Sequence, residues 1–113
     1  MRFDVSTFTK ILGTAICVLM FGLALAAGPK PDDGGDLFKQ KCSMCHGADG
    51  KGFSALKTPD FTDPKVQASL SDQQIVDTIK NGKKGTAMPA FGDKLSDDQV
   101  QSLLKYIRSL AKH

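Results

Sequence analysis

Apolar positions recur at helical spacing in three stretches of the chain. No stretch alternates apolar and polar residues as a half-buried strand would. The clearest stretch lies near the end, where Val100, Leu103, Leu104, Ile107, Leu110 and Ala111 share one helical face. Its start is marked by Ser96 with Gln99 three residues on, a capping box, and by Leu95 and Val100 as a hydrophobic staple. These signals predict a helix from about Asp97 to about Ala111. The same pattern occurs earlier, with Leu70, Ser71, Gln74 and Ile75. That helix carries Ile75, Val76 and Ile79 and stops at Asn81, before the C-terminal Gly82. The flanks of the two starts do not match, so they read as convergent capping rather than an internal repeat. A first helix is predicted from Asp36 to about Cys45, with Leu37 and Phe38 as its apolar contacts. The segments between are loops: residues 47–63 contain Gly47, Gly50, Gly52 and Pro59, and residues 82–92 contain three glycines and Pro89. A short turn is expected at residues 64–69. The fold class is all-α, with three main helices.

The beginning of the chain follows a different pattern. Arg2 and Lys10 precede an uncharged run, Ile11 to Ala27, which ends in the small-residue pattern Ala24-Leu25-Ala26. That arrangement reads as a secretory signal peptide over residues 1–27. An uncleaved membrane anchor is the alternative, since the run reaches the lower edge of a spanning helix. Cys17 lies in mid-run without the small preceding residue of a lipoprotein site. Residues 28–34 form a Pro/Gly/Asp linker, expected to be mobile, and residues 35–113 form the domain. At 113 residues the chain holds at most one domain. Its net charge is +3, and Arg2, Asp4 and Lys10 belong to the leader, so the remainder is weakly basic. This balance does not suit nucleic-acid binding.

One motif carries chemistry. Cys42-Ser43-Met44-Cys45-His46 has the spacing of a c-type haem attachment site. Two thiols three residues apart lie on one side of a helical turn and can add to one haem edge, and the adjacent imidazole can become an axial iron ligand. Zinc is one rival, but it needs about four protein ligands, and beyond residue 30 only Cys42, Cys45, His46 and His113 are available. A thioredoxin-like dithiol is the other, but it belongs beside a βαβ pattern, which is missing. Export would place both thiols in an oxidising compartment, where haem attachment consumes them. An apolar cofactor would also enlarge a core that so short a domain builds poorly alone.

An iron held by His46 has a sixth position to fill. Met1 and Met20 belong to the leader, and Met44 shares the turn of His46 and cannot cross to the other haem face. Met88 is left, extended by the following Pro89. A thioether opposite a histidine gives an electron-transfer haem of raised potential. The competing readings are Met88 as an ordinary core residue and the terminal His113 as ligand.

Cys42-x-x-Cys45-His46, Met88-Pro89 some forty residues later and a C-terminal amphipathic helix together resemble a class I cytochrome c of the bacterial, soluble, monohaem kind. The resemblance covers residues 34–112. It implies three main helices wrapped around one covalently bound haem c. It implies that Gly34, Phe38, Leu103 and Tyr106 form the crossing of the first and last helices. It also implies that the Pro59 carbonyl accepts the Nδ1 hydrogen of His46, against the plainer reading of Pro59 as a turn residue. Phe61 and Phe91 are expected to wall the haem pocket. The chain has no tryptophan, a departure from members that use one to hold a propionate.

The function implied is a monomeric one-electron carrier of the periplasm rather than an enzyme. Its partners are redox protein donors and acceptors that dock transiently at the haem edge, ringed by Lys39, Lys41, Lys51, Lys83 and Lys84. Membrane contact is expected only if the leader is retained. Two alternatives stay open. One is a docked or anchored cytochrome subunit of a larger oxidoreductase. The other is a haem sensor or peroxidase with a labile Met88. No Ser/His/Asp set and no paired-carboxylate site is apparent.

Overall fold

Asp33 begins the structure's first helix: its carboxylate accepts the Gly35 N–H at 3.0 Å and caps α1, Gly34–Lys41. The structure is a computed structural model, and it describes residues 33–111. The expected leader, the expected linker up to residue 32 and residues 112–113 lie outside the described residues. Two sequence expectations change here. The helix starts two residues earlier than expected because of the Asp33 cap, so Gly34 belongs to α1 and is buried rather than part of a mobile linker. It also breaks at Cys42, whose φ of −116° leaves the helical range. The Cys42 N–H still donates to the Phe38 carbonyl at 2.9 Å, and a separate turn, α2, runs over Ser43–His46.

Three further helices follow. α3, Pro64–Ser69, is capped by Asp63 and has proline in its first turn, where a missing N–H does no harm. The turn expected at residues 64–69 is thus a short helix. α4 spans Asp72–Asn81 and α5 spans Asp97–Ser109. Both expected capping boxes are formed, with Ser71 and Gln74 bonded reciprocally at 2.8 and 3.1 Å and Ser96 and Gln99 at 2.9 and 3.2 Å. α5 ends before Ala111, because the Leu110 and Ala111 N–H groups tighten onto the Ile107 and Arg108 carbonyls three residues back. A single 3₁₀ turn, Ser54–Leu56, lies in the loop between α2 and α3. No strand occurs among the described residues, and none of their helices is long and apolar enough to cross a membrane.

The core gathers along α5. Val100, Leu103, Leu104 and Ile107 are buried against Leu37 and Phe38 of α1, Ile75 and Ile79 of α4, and Phe61 and Leu95 from the loops. The α1–α5 crossing is tight at Gly34, where a Cβ would stand 2.0 Å from the Ser102 carbonyl oxygen. Phe38 lies beside this crossing, with its ring 5.3 Å from that of Tyr106.

Arg108 ties the far end of α5 to three segments. Its guanidinium donates to the Gln67 carbonyl and side chain, both at 2.8 Å, to the Leu70 carbonyl at 2.6 Å, and to Asp72 at 2.8 Å. Gln67 in turn donates to the Phe61 and Ile107 carbonyls. The loop that carries Phe61 is thereby anchored to α5. At the other end of α5, Lys80 pairs with Asp97 at 2.6 Å and holds that exposed carboxyl below its ordinary range.

Candidate functional site: an apolar cleft with an imidazole, two thiols and a thioether

The cleft has a volume of about 590 Å³, within the range of small-molecule and cofactor pockets. Phe38, Ile75, Ile79, Leu103 and Ile107 contribute apolar walls from α1, α4 and α5. Cys42, Cys45, His46, Pro59, Phe61, Met88 and Phe91 all line it. The cleft therefore brings together every residue singled out as cofactor-binding.

The α2 turn presents the two thiols and the imidazole. The Cys45 and His46 N–H groups both donate to the Cys42 carbonyl, at 3.2 and 2.9 Å, and this closes the turn. Gly47 then stops it in a left-handed conformation, φ +77°, with its N–H on the Ser43 carbonyl. Gly52 returns the chain, donating to the His46 carbonyl at 2.8 Å. The His46 ring is stacked on Phe61, with centroids 5.2 Å apart and planes at 19°, and it meets the Phe38 ring at 6.4 Å. Two aromatic neighbours thus hold the imidazole plane. Met44, beside it in sequence, is 88% exposed at the cleft mouth.

Met88 comes from the loop after α4. Gly82 ends that helix with φ +72°, and a Cβ there would lie 2.8 Å from the Met88 carbonyl oxygen. The loop returns to its own helix through the Phe91 N–H to the Ile79 carbonyl and the Gly92 N–H to the Lys80 carbonyl, at 2.9 and 3.0 Å. Met88 and Phe91 are carried to the cleft by this closed loop.

The titratable groups discriminate between the candidate chemistries. Burial pushes the Cys42 thiol up to about 11, with the nearby Lys41 charge opposing and Cys45 adding a little. A redox-active dithiol is tuned the opposite way, toward thiolate, so this shift does not support the thioredoxin-like reading. Burial lowers the His46 pKa, which keeps its imidazole neutral, as a metal ligand must be. Among the described residues no three His, Cys, Asp or Glu side chains converge as an ion site.

Residues 29–107 match the family described as cytochrome c oxidase, cbb3-type, subunit III. The chain belongs to this family and is a class I, monohaem cytochrome c. It is similar to cytochrome c6 of Leptolyngbya boryana, at 35% identity over 70% of this chain and 91% of that one. It is also similar to the cbb3-type cytochrome c oxidase subunit FixP of Azorhizobium caulinodans, at 35% identity over 79% of this chain. This chain spans only 30% of that subunit's length. Among solved structures, the c-type cytochrome KustC0563 matches with a TM-score of 0.65 and 34% identity, over 71% of this chain and 99% of that one.

The cofactor of this cytochrome is covalently bound haem c. The cleft fits it. His46 lines this largely apolar cavity beside the two thiols and Met88, and its Nδ1 is buried with no hydrogen-bond partner, a polar edge that the protein alone leaves unsatisfied. Both thiols are unpaired and line the same space. One expectation for the histidine is not met: no bond joins Nδ1 to the Pro59 carbonyl. That carbonyl instead lies 2.8 Å from where a Cβ on Gly52 would be, so it faces the glycine of the returning chain.

The lysine ring also differs from expectation. Lys41 and Lys83 line the cleft, but Lys39, Lys51 and Lys84 do not, and Lys57 joins them instead. Lys57 ends the 3₁₀ turn in the left-handed region, φ +53°, and this bend was not legible from a lysine in sequence.

Proposed function

We propose that this cytochrome c, an electron carrier by family, is a periplasmic shuttle exported by its leader. It would carry single electrons between respiratory or photosynthetic complexes or dehydrogenases. The observation that supports this most directly is the convergence of Cys42, Cys45, His46 and Met88 on one apolar cleft. Haem c, when bound, supplies a one-electron couple at its iron. Cys42 and Cys45 would hold it by thioethers, and His46 and Met88 would ligate its iron. Phe61 and Phe38 fix the plane of the His46 ring, and the apolar walls exclude water. With His46 and Met88 both on the iron, no position would remain for a substrate, which favours a carrier over a sensor or peroxidase. The near-complete span of cytochrome c6 favours a free carrier. The FixP similarity supports a second reading, a domain docked on an oxidase.

A redox titration of the isolated protein tests the carrier reading. It should follow a single one-electron wave, and the ferrous protein should not bind carbon monoxide. Rapid carbon monoxide binding would turn the assignment toward a sensor. Met88→Ala should abolish the weak far-red charge-transfer band of the ferric protein. It should also lower the midpoint potential by on the order of 0.1 V, a fraction of the span that axial ligation controls. A variant with the parent band and potential would remove Met88 from the iron.

Partner docking should be electrostatic. Lys41, Lys57 and Lys83 rim the cleft beside the exposed apolar Met44 and Leu56. Small transient contacts of this kind use charge mainly to raise encounter rates. Electron transfer with an acidic redox protein should slow as salt rises, and Lys57→Glu with Lys83→Glu should slow it about tenfold at low salt. Stopped-flow rates independent of salt with every partner would mean that docking is apolar.

A further inference from the structure

The loop that delivers Met88 is closed on itself by one hydroxyl. Thr86 Oγ1 donates to the Lys83 carbonyl at 2.7 Å and accepts the Met88 N–H at 3.2 Å. A threonine hydroxyl has one donor and two acceptor sites, and both functions are used here. The Thr86 N–H adds a second bond to the same Lys83 carbonyl, at 3.1 Å, and the Lys83 N–H donates to the Met88 carbonyl at 3.2 Å. Both backbone polar groups of Met88 are therefore tied within residues 83–88.

We propose that Thr86 is a positioning residue for Met88: its hydroxyl sets how firmly the Met88 thioether is held toward the haem. The proposal rests on Met88 being the sixth ligand. Pro89 keeps Met88 out of the helical region, so no helix ladder can hold its N–H. Thr86 supplies the missing acceptor. Gly85, one residue earlier, has φ +79°, and nothing lies within 4 Å of where its Cβ would be. That Cβ position is open, so restraint there comes from the hydrogen bonds within residues 83–88, the two of the hydroxyl among them. Without this hydroxyl the loop gains freedom two residues before the ligand, and Met88 competes less well against an external donor.

The test is imidazole binding to the ferric holoprotein, followed through loss of the far-red band. Thr86→Val keeps the side-chain shape and removes the hydroxyl, and Thr86→Ser keeps the hydroxyl. Thr86 is exposed, so neither change should unfold the domain, and melting curves check this. Imidazole affinity should rise about three- to tenfold in Thr86→Val, the size expected for losing one or two hydrogen bonds from the Met-bound state. Thr86→Ser should stay at the parent affinity. A parent-like affinity in Thr86→Val, or an equal rise in both variants, overturns the proposal. Met88→Ala, measured alongside, separates the two layers. If it leaves band and affinity unchanged, the ligand reading falls and the positioning role with it. If it changes both while Thr86→Val changes neither, only the positioning role falls.

Discussion

Serine in place of both Cys42 and Cys45 should leave a protein that loses all of its haem to acid–acetone extraction. In the parent the tether holds the cofactor against a cleft lined on most sides by apolar side chains. Without thioethers only axial ligation and apolar burial remain, and both depend on free haem concentration. The protein core is small: the fully buried large side chains are Phe38, Leu103 and Val100. A domain of this size is stable by roughly 0.05–0.15 kcal/mol per residue. Making the cofactor dissociable should therefore cost a large share of the total, and the thermal midpoint should fall by more than about 10 °C at low haem. The midpoint should recover as haem is added, which a purely structural defect would not do. Haem retained in the precipitated protein of the double variant would refute attachment through these thiols.

Gly34→Ala should be the most damaging single change in the α1–α5 crossing. Its new methyl group would stand 2.0 Å from the Ser102 carbonyl oxygen and 2.5 Å from the carbonyl carbon. Both are backbone atoms inside α5 and cannot rotate away, so the helices must separate. Phe38 and Leu103, buried at 1% and 0% exposure, would lose their packing. Overpacking a rigid contact costs about 1–3 kcal/mol, and opening the core beside it adds to that. Alanine's helix propensity returns at most about 1 kcal/mol. The steric term wins, and a net loss of about 3 kcal/mol is expected in denaturant unfolding. Gly35→Ala is the control: there the nearest atom is Tyr106 Cε2 at 3.2 Å, on a side chain that can shift. Its cost should stay below about 1 kcal/mol. Equal midpoints for Gly34→Ala and the parent would mean that the crossing is looser than the structure has it.

The features legible in sequence share a short range. The haem-attachment motif, both capping boxes and the glycine stop at Gly82 each involve residues within a few positions of one another. Helical geometry alone converts such spacing into structure. Met88 could be singled out in sequence as the ligand candidate, since Met1 and Met20 fall in the expected leader and Met44 on the turn of His46. The break at Cys42 was not legible, because the i to i+4 pattern continues through it. Arg108 gave no signal either: its five-donor fork is used by carbonyls and side chains of Gln67, Leu70 and Asp72, all more than thirty positions away.

Sequence by itself determined that this chain is helical, where α4 and α5 begin, and that one turn offers two thiols and an imidazole to a haem. Those outcomes depend on neighbours along the chain. Tertiary structure decided what surrounds the imidazole. Phe61 stacks on His46 because Gln67 and Arg108 fasten its loop to α5, and the Pro59 carbonyl faces Gly52 because the returning strand of loop approaches it there. It also decided that Lys57, rather than Lys39 or Lys51, reaches the cleft. Such choices follow from loop closure and side-chain packing between distant segments, which residue spacing does not encode.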